Sequence, residues 1–106
     1  MNLGIIISSN DPETVWNAFR FGNYSLKNGD DVEIFLLGKG VEAENLDTEE
    51  FEIKQKMAEF SENGGSIHAC GTCLDLRKKE GSKICPVSTM QDMYEVVSEN
   101  DRVLTF

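Results

Sequence analysis

The chain is poor in cations. Ten Lys and Arg stand against nineteen Asp and Glu, a formal net charge of −9 over 106 residues. That shortage argues against a direct nucleic-acid binder, because duplex affinity comes largely from cations set against phosphates. It argues equally against an anionic membrane surface. Long apolar runs are also missing. The charge-free stretch from Leu3 to Ile7 is far too short to span a bilayer. No cationic stretch precedes it, so it does not read as a secretory signal. There is a single histidine, His68, so no His pair is available for a metal. Three cysteines are an odd number, with two of them three positions apart. That is a poor disulfide framework and points to a reducing cytoplasm with reactive or metal-bound thiols. Internal repeats, low-complexity stretches and linkers are absent.

What is present is a globular composition, 40% apolar and 27% charged. The length sets one domain over residues 1–106, able to bury roughly 65% of its unfolded surface. The hydrophobic period alternates between strand and helix. Leu3 to Ser8 is a β-branched apolar run, as in a strand buried on both faces of a parallel sheet. Asp11 is the expected N-cap of a helix with Pro12 at its first position and Glu13 at the positive dipole end. Val15, Phe19, Gly22 and Leu26 form its inward stripe, and Asn28-Gly29 ends it. Val32 to Leu37 is the second strand, and Gly38-Lys39-Gly40 reads as a turn, too short for a phosphate loop.

The acid-rich stretch from Glu42 to Glu52 reads as a solvated loop leading into an amphipathic helix, with Phe51, Ile53, Met57, Ala58 and Phe60 on its apolar side. Asn63-Gly64-Gly65 ends that helix. Ser66 to Cys70 is the third strand. Thr72 is the expected cap of a helix from Cys73 to about Lys79, followed by a loop with a possible strand at Ile84 to Val87. Ser88 and Gln91 have capping-box spacing, and Met90, Met93, Tyr94 and Val97 form the expected inward stripe of the last helix. Asn100 stops it, and Val103 to Phe106 is a closing strand. Such alternation predicts an α/β fold, a three-layer α/β/α sandwich around a mostly parallel sheet of four or five strands.

Cys70-Gly71-Thr72-Cys73 is the most informative segment. It ends a strand and opens a helix, at the sheet edge where ligands and reactive groups gather in open α/β folds. Free N–H groups of a helix start favour negative charge. The expectation is therefore an accessible Cys70 thiol that ionises easily. With a pKa near 8.5 about 3% is thiolate at pH 7; lowered to roughly 6.5, about three quarters is. The spacing by itself suits a sulfur-transfer thiol, a dithiol redox pair, half of a metal site, or cysteines that only pack. Zinc would need Cys85 and His68 to join the pair, and nothing in the spacing demands it. His68 projects to the same strand face as Cys70, roughly 7 Å away, and reads as a packed histidine satisfied by a carbonyl. Cys85, before Pro86, reads as a bystander. Ser8-Ser9 reads as the start of a turn. Trp16, Phe21 and Tyr24 lie off the inward stripe of their helix, as a core rim or as a subunit contact.

Several segments together resemble one family. They are Leu3 to Ser8 with the helix after it, Gly29 to Val41, Cys70-Gly71-Thr72-Cys73-Leu74-Asp75, Asp92 to Val97, and Asp101 to Phe106. The chain is similar along nearly its whole length to the DsrE/DsrF-like family, of the TusD, YchN and YedF carboxyl-terminal-domain type. The resemblance implies a three-layer fold, a cytoplasmic location, assembly as homo-trimers, hexamers or hetero-hexamers, and, as in several members, sulfane sulfur carried as a cysteine persulfide. No organic cofactor is implied, and no metal is expected. Cys70 occupies the family's carrier position at the end of the third strand. Cys73 departs from the TusD pattern, where that stretch is aliphatic, and is expected to tune or release the carrier. The expected partners are a sulfur donor protein, an acceptor protein and copies of the chain itself. The alternatives are a dithiol redox or metal-sensing domain on Cys70 and Cys73, and a non-catalytic assembly module.

Overall fold

A computed structural model describes residues 1–106. Strand β1 (Asn2–Ile7) leads into helix α1 (Pro12–Lys27) and strand β2 (Asp31–Leu36). A 3-10 helical segment over Gly38–Asn45 precedes helix α2 (Ile53–Glu62) and strand β3 (Ser66–Cys70). Helix α3 (Gly71–Leu76), strand β4 (Val87–Ser88), helix α4 (Met90–Glu99) and strand β5 (Arg102–Thr105) complete the chain. The five strands lie in the order β4-β3-β2-β1-β5, and every pairing is parallel. The expected three-layer α/β/α fold with a parallel sheet of four or five strands is what forms.

The layers follow from the pleat. Leu3, Ile5 and Ile7 share one face of β1, while Gly4 and Ile6 share the other. All five are buried, which explains why β1 reads as a continuous apolar run without polar alternation. Each fully buried Ile or Leu there contributes about 1.5–3 kcal/mol. Helices α1 and α2 cover the face of Ile34, where Gly22 lets Phe60 and Ile34 approach the α1 backbone. Helix α4 covers the opposite face, with Val96 packed onto Gly4.

Helix α1 forms as the sequence predicts. The Asp11 carboxylate accepts from the Thr14 N–H at 3.0 Å, Pro12 opens the helix, and Gly29 leaves it at a φ of 89°.

Four expectations are corrected. First, α3 is capped at Cys70, not Thr72, and ends six residues on, where Lys78 takes a left-handed φ of 53°. Second, the capping box of α4 lies one residue later than Ser88/Gln91. The Asp92 N–H donates to Thr89 Oγ1 at 3.3 Å, and the Thr89 N–H donates to Asp92 Oδ2 at 2.8 Å. Ser88 is drawn into the edge strand β4 instead, so the strand forms at Val87–Ser88 and not at Ile84 to Val87. Third, the inward side of α4 is Met93, Val96 and Asn100. Met90, Tyr94 and Val97 face solvent, Tyr94 at 72% exposure. The close approach at Gly4 sets this rotation, because only there can a side chain and a helix carbonyl reach the sheet. Fourth, the acid-rich stretch does not begin as a solvated loop. It begins within the 3-10 segment, with Val41 and Ala43 buried.

Two tests follow from this packing. A Cβ at Gly40 would overlap the Ile7 carbonyl oxygen, where backbone cannot yield. Gly40→Ala should lower the unfolding free energy by about 3 kcal/mol in urea titration. Gly29→Ala, in open space and strained only by its positive φ, should cost about 1 kcal/mol. At α4, the Thr89 N–H holds the Asp92 carboxyl below its ordinary value, helped by the Thr89 hydroxyl and by His68. With the folded value depressed, the cap contributes fully above the unfolded-state pKa and is lost as pH falls through the folded one. Asp92→Asn should be less stable than the parent at pH 7, with the two stability curves converging in acid.

Candidate functional site

Strands β2 and β3 are parallel neighbours, so their carboxyl ends open side by side. Leu36 leads into Gly38 from one, and Cys70 leads into Cys73 from the other. Gly38, at a φ of 55°, donates its backbone N–H to Cys73 Sγ at 3.2 Å. Arg77 ties the two segments together a second time. Its Nε donates to Glu42 Oε2 at 2.9 Å, and its Nη1 donates to the Cys73 carbonyl oxygen at 3.1 Å. Arg77 holds the Glu42 carboxyl below the usual range, with Asn10 adding a weaker bond at 3.4 Å. Ser82 Oγ donates to Glu44 Oε1 at 2.6 Å and fastens the loop after α3 to the same 3-10 segment.

Both thiols are free. They are not equivalent. Cys70 is only 3% exposed and belongs to the core, whereas Cys73 is half-buried. Burial pushes the Cys70 thiol up, and hydrogen bonding with the Cys73 thiol adds to the rise. The expected amides are at hand: the N–H groups of Cys73 and Thr72 favour the Cys70 thiolate. They form no capping hydrogen bond with the sulfur, and desolvation outweighs them. The expectation of an accessible, readily ionised Cys70 is therefore corrected. The helix start lies where the sequence predicts, but the sulfur at its mouth is turned into the core, and the next cysteine is the one solvent reaches.

The remaining candidates scatter around this pair. His68 stacks on Phe35 with ring centroids 6.4 Å apart. Its Nδ1 meets Ser88 Oγ at 3.3 Å, and its Nε2 lies 3.4 Å from Glu33 Oε1, outside hydrogen-bond geometry. Its Nδ1 meets a hydroxyl where a carbonyl was expected, its Nε2 has no hydrogen-bond partner, and it makes no bond to Cys70. Cys85 is buried beside Glu44 and Ser82, and burial pushes its thiol up to about 12. It lines a cavity of about 160 Å³ with Val41, Glu44, Leu74 and Lys79. Cys70, Cys73, Cys85 and His68 do not converge into a cluster that could hold a metal. Ser9 Oγ accepts from the Asp11 N–H at 3.0 Å and serves the turn. Trp16 packs on Phe51 at 5.3 Å and under the Arg20 guanidinium at 4.4 Å, while Phe21 and Tyr24 stay exposed. A groove of about 500 Å³ runs along α1 and α2 between Arg20, Tyr24, Lys56 and Glu59, and neither thiol lines it.

Three site residues escaped sequence reading: Gly38, Arg77 and Glu42. A signal for Gly38 existed. It follows a parallel strand, so its N–H had to open at the same sheet edge as the cysteines, and the β2–β3 pairing brings the two together. Arg77 and Glu42, thirty-five positions apart, carry no such signal.

Alkylation should follow the environments. At pH 8, iodoacetamide should modify native Cys73 first and Cys70 more slowly. It should leave Cys85 intact until the protein unfolds, since only about one part in 10⁴ of that thiol is ionised. Peptide mass mapping of a time course reads the order.

No helix is long and apolar enough to cross a membrane. The DsrE/DsrF-like family profile matches residues 1–106. An uncharacterised protein of Methanocaldococcus jannaschii is 31% identical over 103 residues, covering 89% of this chain and 88% of the relative. An uncharacterised protein of Methanopyrus kandleri is 30% identical over 101 residues, covering 89% and 83%. A conserved protein of unknown function from Bacteroides thetaiotaomicron superposes with a TM-score of 0.78 over 99% of this chain and 94% of its own, at 20% identity. That likeness is one of fold. Matched from end to end, the chain belongs to the DsrE/DsrF-like family, which is generally tied to sulfur relay.

Proposed function

We propose that the chain is a sulfur-relay subunit that carries sulfane sulfur as a cysteine persulfide on the Cys70/Cys73 pair. The observation that carries this reading is the half-buried Cys73 sulfur, held by the Gly38 N–H at 3.2 Å and backed by the buried thiol of Cys70. A hydrogen-bond donor at 3.2 Å stabilises a thiolate at that point.

The steps balance without a cofactor. The Cys73 thiolate attacks the outer sulfur of a donor persulfide. A new S–S bond forms, the donor's S–S bond breaks, and the donor leaves as its thiolate. An acceptor thiolate then takes the outer sulfur by the same displacement and regenerates the Cys73 thiolate. Without an acceptor, Cys70 attacks the inner sulfur. A Cys70–Cys73 disulfide forms and hydrosulfide leaves, so the carried sulfur gains the two electrons that the cysteines lose. An external thiol must then reduce the pair. The family resemblance implies Cys70 as the carrier; burial favours Cys73 as the sulfur that meets the donor and Cys70 as the one that resolves it. The reading includes donor and acceptor proteins, a reducing cytoplasm, and assembly with further copies of the chain. Exposed Met90, Tyr94 and Val97 on one side of α4 support the last of these.

Intact-mass measurement after loading with inorganic polysulfide tests the roles. The parent chain should gain the mass of one sulfur at early times and then lose it as hydrosulfide, leaving the Cys70–Cys73 disulfide. Cys73→Ser should load about tenfold less or worse. Cys70→Ser should load but release no hydrosulfide. The reverse pattern makes Cys70 the receiving sulfur. A Cys70–Cys73 disulfide with no sulfur adduct in any form overturns the relay and leaves a redox pair.

A further inference from the structure

The chain is acidic overall, but not where the thiols open. Two segments frame the dithiol: residues 38–45, and residues 71–86 across from them. They are fastened by Gly38 to Cys73, Arg77 to Glu42, Ser82 to Glu44 and Lys79 to Asn45. Together they hold Lys39, Arg77, Lys78, Lys79 and Lys83, five of the ten cations, against Glu42, Glu44, Asp75 and Glu80, four of the nineteen acids. The frame is therefore net positive by one, and the rest of the chain carries −10. Glu42 is occupied by Arg77, and Glu44 receives the Ser82 hydroxyl. Lys39, Lys78 and Lys83 are exposed and have no carboxylate within salt-bridge distance. Lys78 is held in its left-handed conformation, with its N–H donating to the Asp75 carbonyl oxygen. Exposed apolar side chains lie in or beside the frame: Leu76 at 77% and Val87 at 62%, the latter against Gly71.

Resting on the sulfur-relay reading, we propose that the partner exchanging sulfur with this dithiol docks through an acidic polypeptide segment with apolar residues, seated on the Lys39, Lys78 and Lys83 rim. At physiological salt, charges beyond about 8 Å are screened, so the local sign governs docking and the overall −9 does not. The same screened remainder disfavours a long polyanion, whose charge would extend over the acidic surface. Single-stranded RNA fits poorly for a second reason. Neither framing segment holds a Phe, Tyr, Trp or His on which a base could stack. Leu76 and Val87 instead offer contacts that a polypeptide can use.

The test uses the reduced full-length chain and two synthetic peptides of equal length. Each bears one cysteine activated as its mixed disulfide with thionitrobenzoate, flanked by Asp, Glu and Leu in one and by Lys and Leu in the other. Rates of thionitrobenzoate release are divided by the rate with neutral dipyridyl disulfide. The acidic peptide should react about tenfold faster at roughly 0.15 M salt, where the screening length is about 8 Å, with the difference collapsing towards 1 M salt, where it is about 3 Å. The triple variant K39E/K78E/K83E should reverse the preference. Equal rates, a faster Lys peptide, or a preference untouched by the triple variant would overturn the proposal. An oligouridine that binds more tightly than the acidic peptide in fluorescence anisotropy would overturn it in favour of RNA. The exchange needs only thiols and surface charge, so it can succeed where no persulfide ever forms. Polysulfide loading can succeed where no charge preference exists. The two readings therefore fail separately.

Discussion

Parallel pairing around a central strand buried on both faces is the constraint from which the rest follows. Strand β1 is held between β2 and β5 and covered by α1 on one side and α4 on the other. Its Ile and Leu side chains are buried, and its backbone groups find partners in both neighbours. Because every strand runs the same way, all carboxyl ends open at one edge. The two that carry chemistry, those of β2 and β3, are adjacent. The bond from the Gly38 N–H to the Cys73 sulfur is a consequence of that direction.

At the site, two effects compete over the same few ångströms. A helix start offers unpaired amides that favour a thiolate, and a strand end at the core withdraws the sulfur from water. For Cys70 the second wins, since amides that lie nearby without a formed hydrogen bond recover less than full burial costs. Cys73, one turn of backbone later, is less deeply buried, and a directed N–H from another segment meets its sulfur. A pair split in this way has one sulfur suited to meeting a partner and one sheltered from it. The framing segments add a second division, between a locally cationic mouth and an acidic remainder. Net charge alone hides this, because screening makes surface electrostatics a short-range property.

Much of the fold was legible because local physics and tertiary packing agree there. The strand at Leu3 to Ser8, the Asp11-Pro12 helix start and the Asn28-Gly29 stop rest on side-chain chemistry within a few residues, and each stands within a residue or two of its expected place. Reading failed where a distant contact chose among near-equal local options. Thr89 and Ser88 are both competent caps, and pairing of Ser88 with Cys70 on β3 removed one of them. Met90, Tyr94 and Val97 form as regular a stripe as Met93 and Val96 do with Asn100. Which side turned inward was decided by Gly4, a residue on another element. Glu42 looked solvated until Arg77, thirty-five positions away, arrived beside it.

The sequence by itself determined the alternation of strand and helix, the parallel α/β class, the family, and the position of two cysteines at a strand-to-helix junction. Those properties depend on periodicity, caps and spacing, which act over a few residues. The tertiary structure alone decided which sulfur faces solvent, which N–H meets it, and how the chain's few cations gather around it. Those depend on burial and on contacts between segments far apart in the chain, and neither quantity exists until the chain has closed on itself.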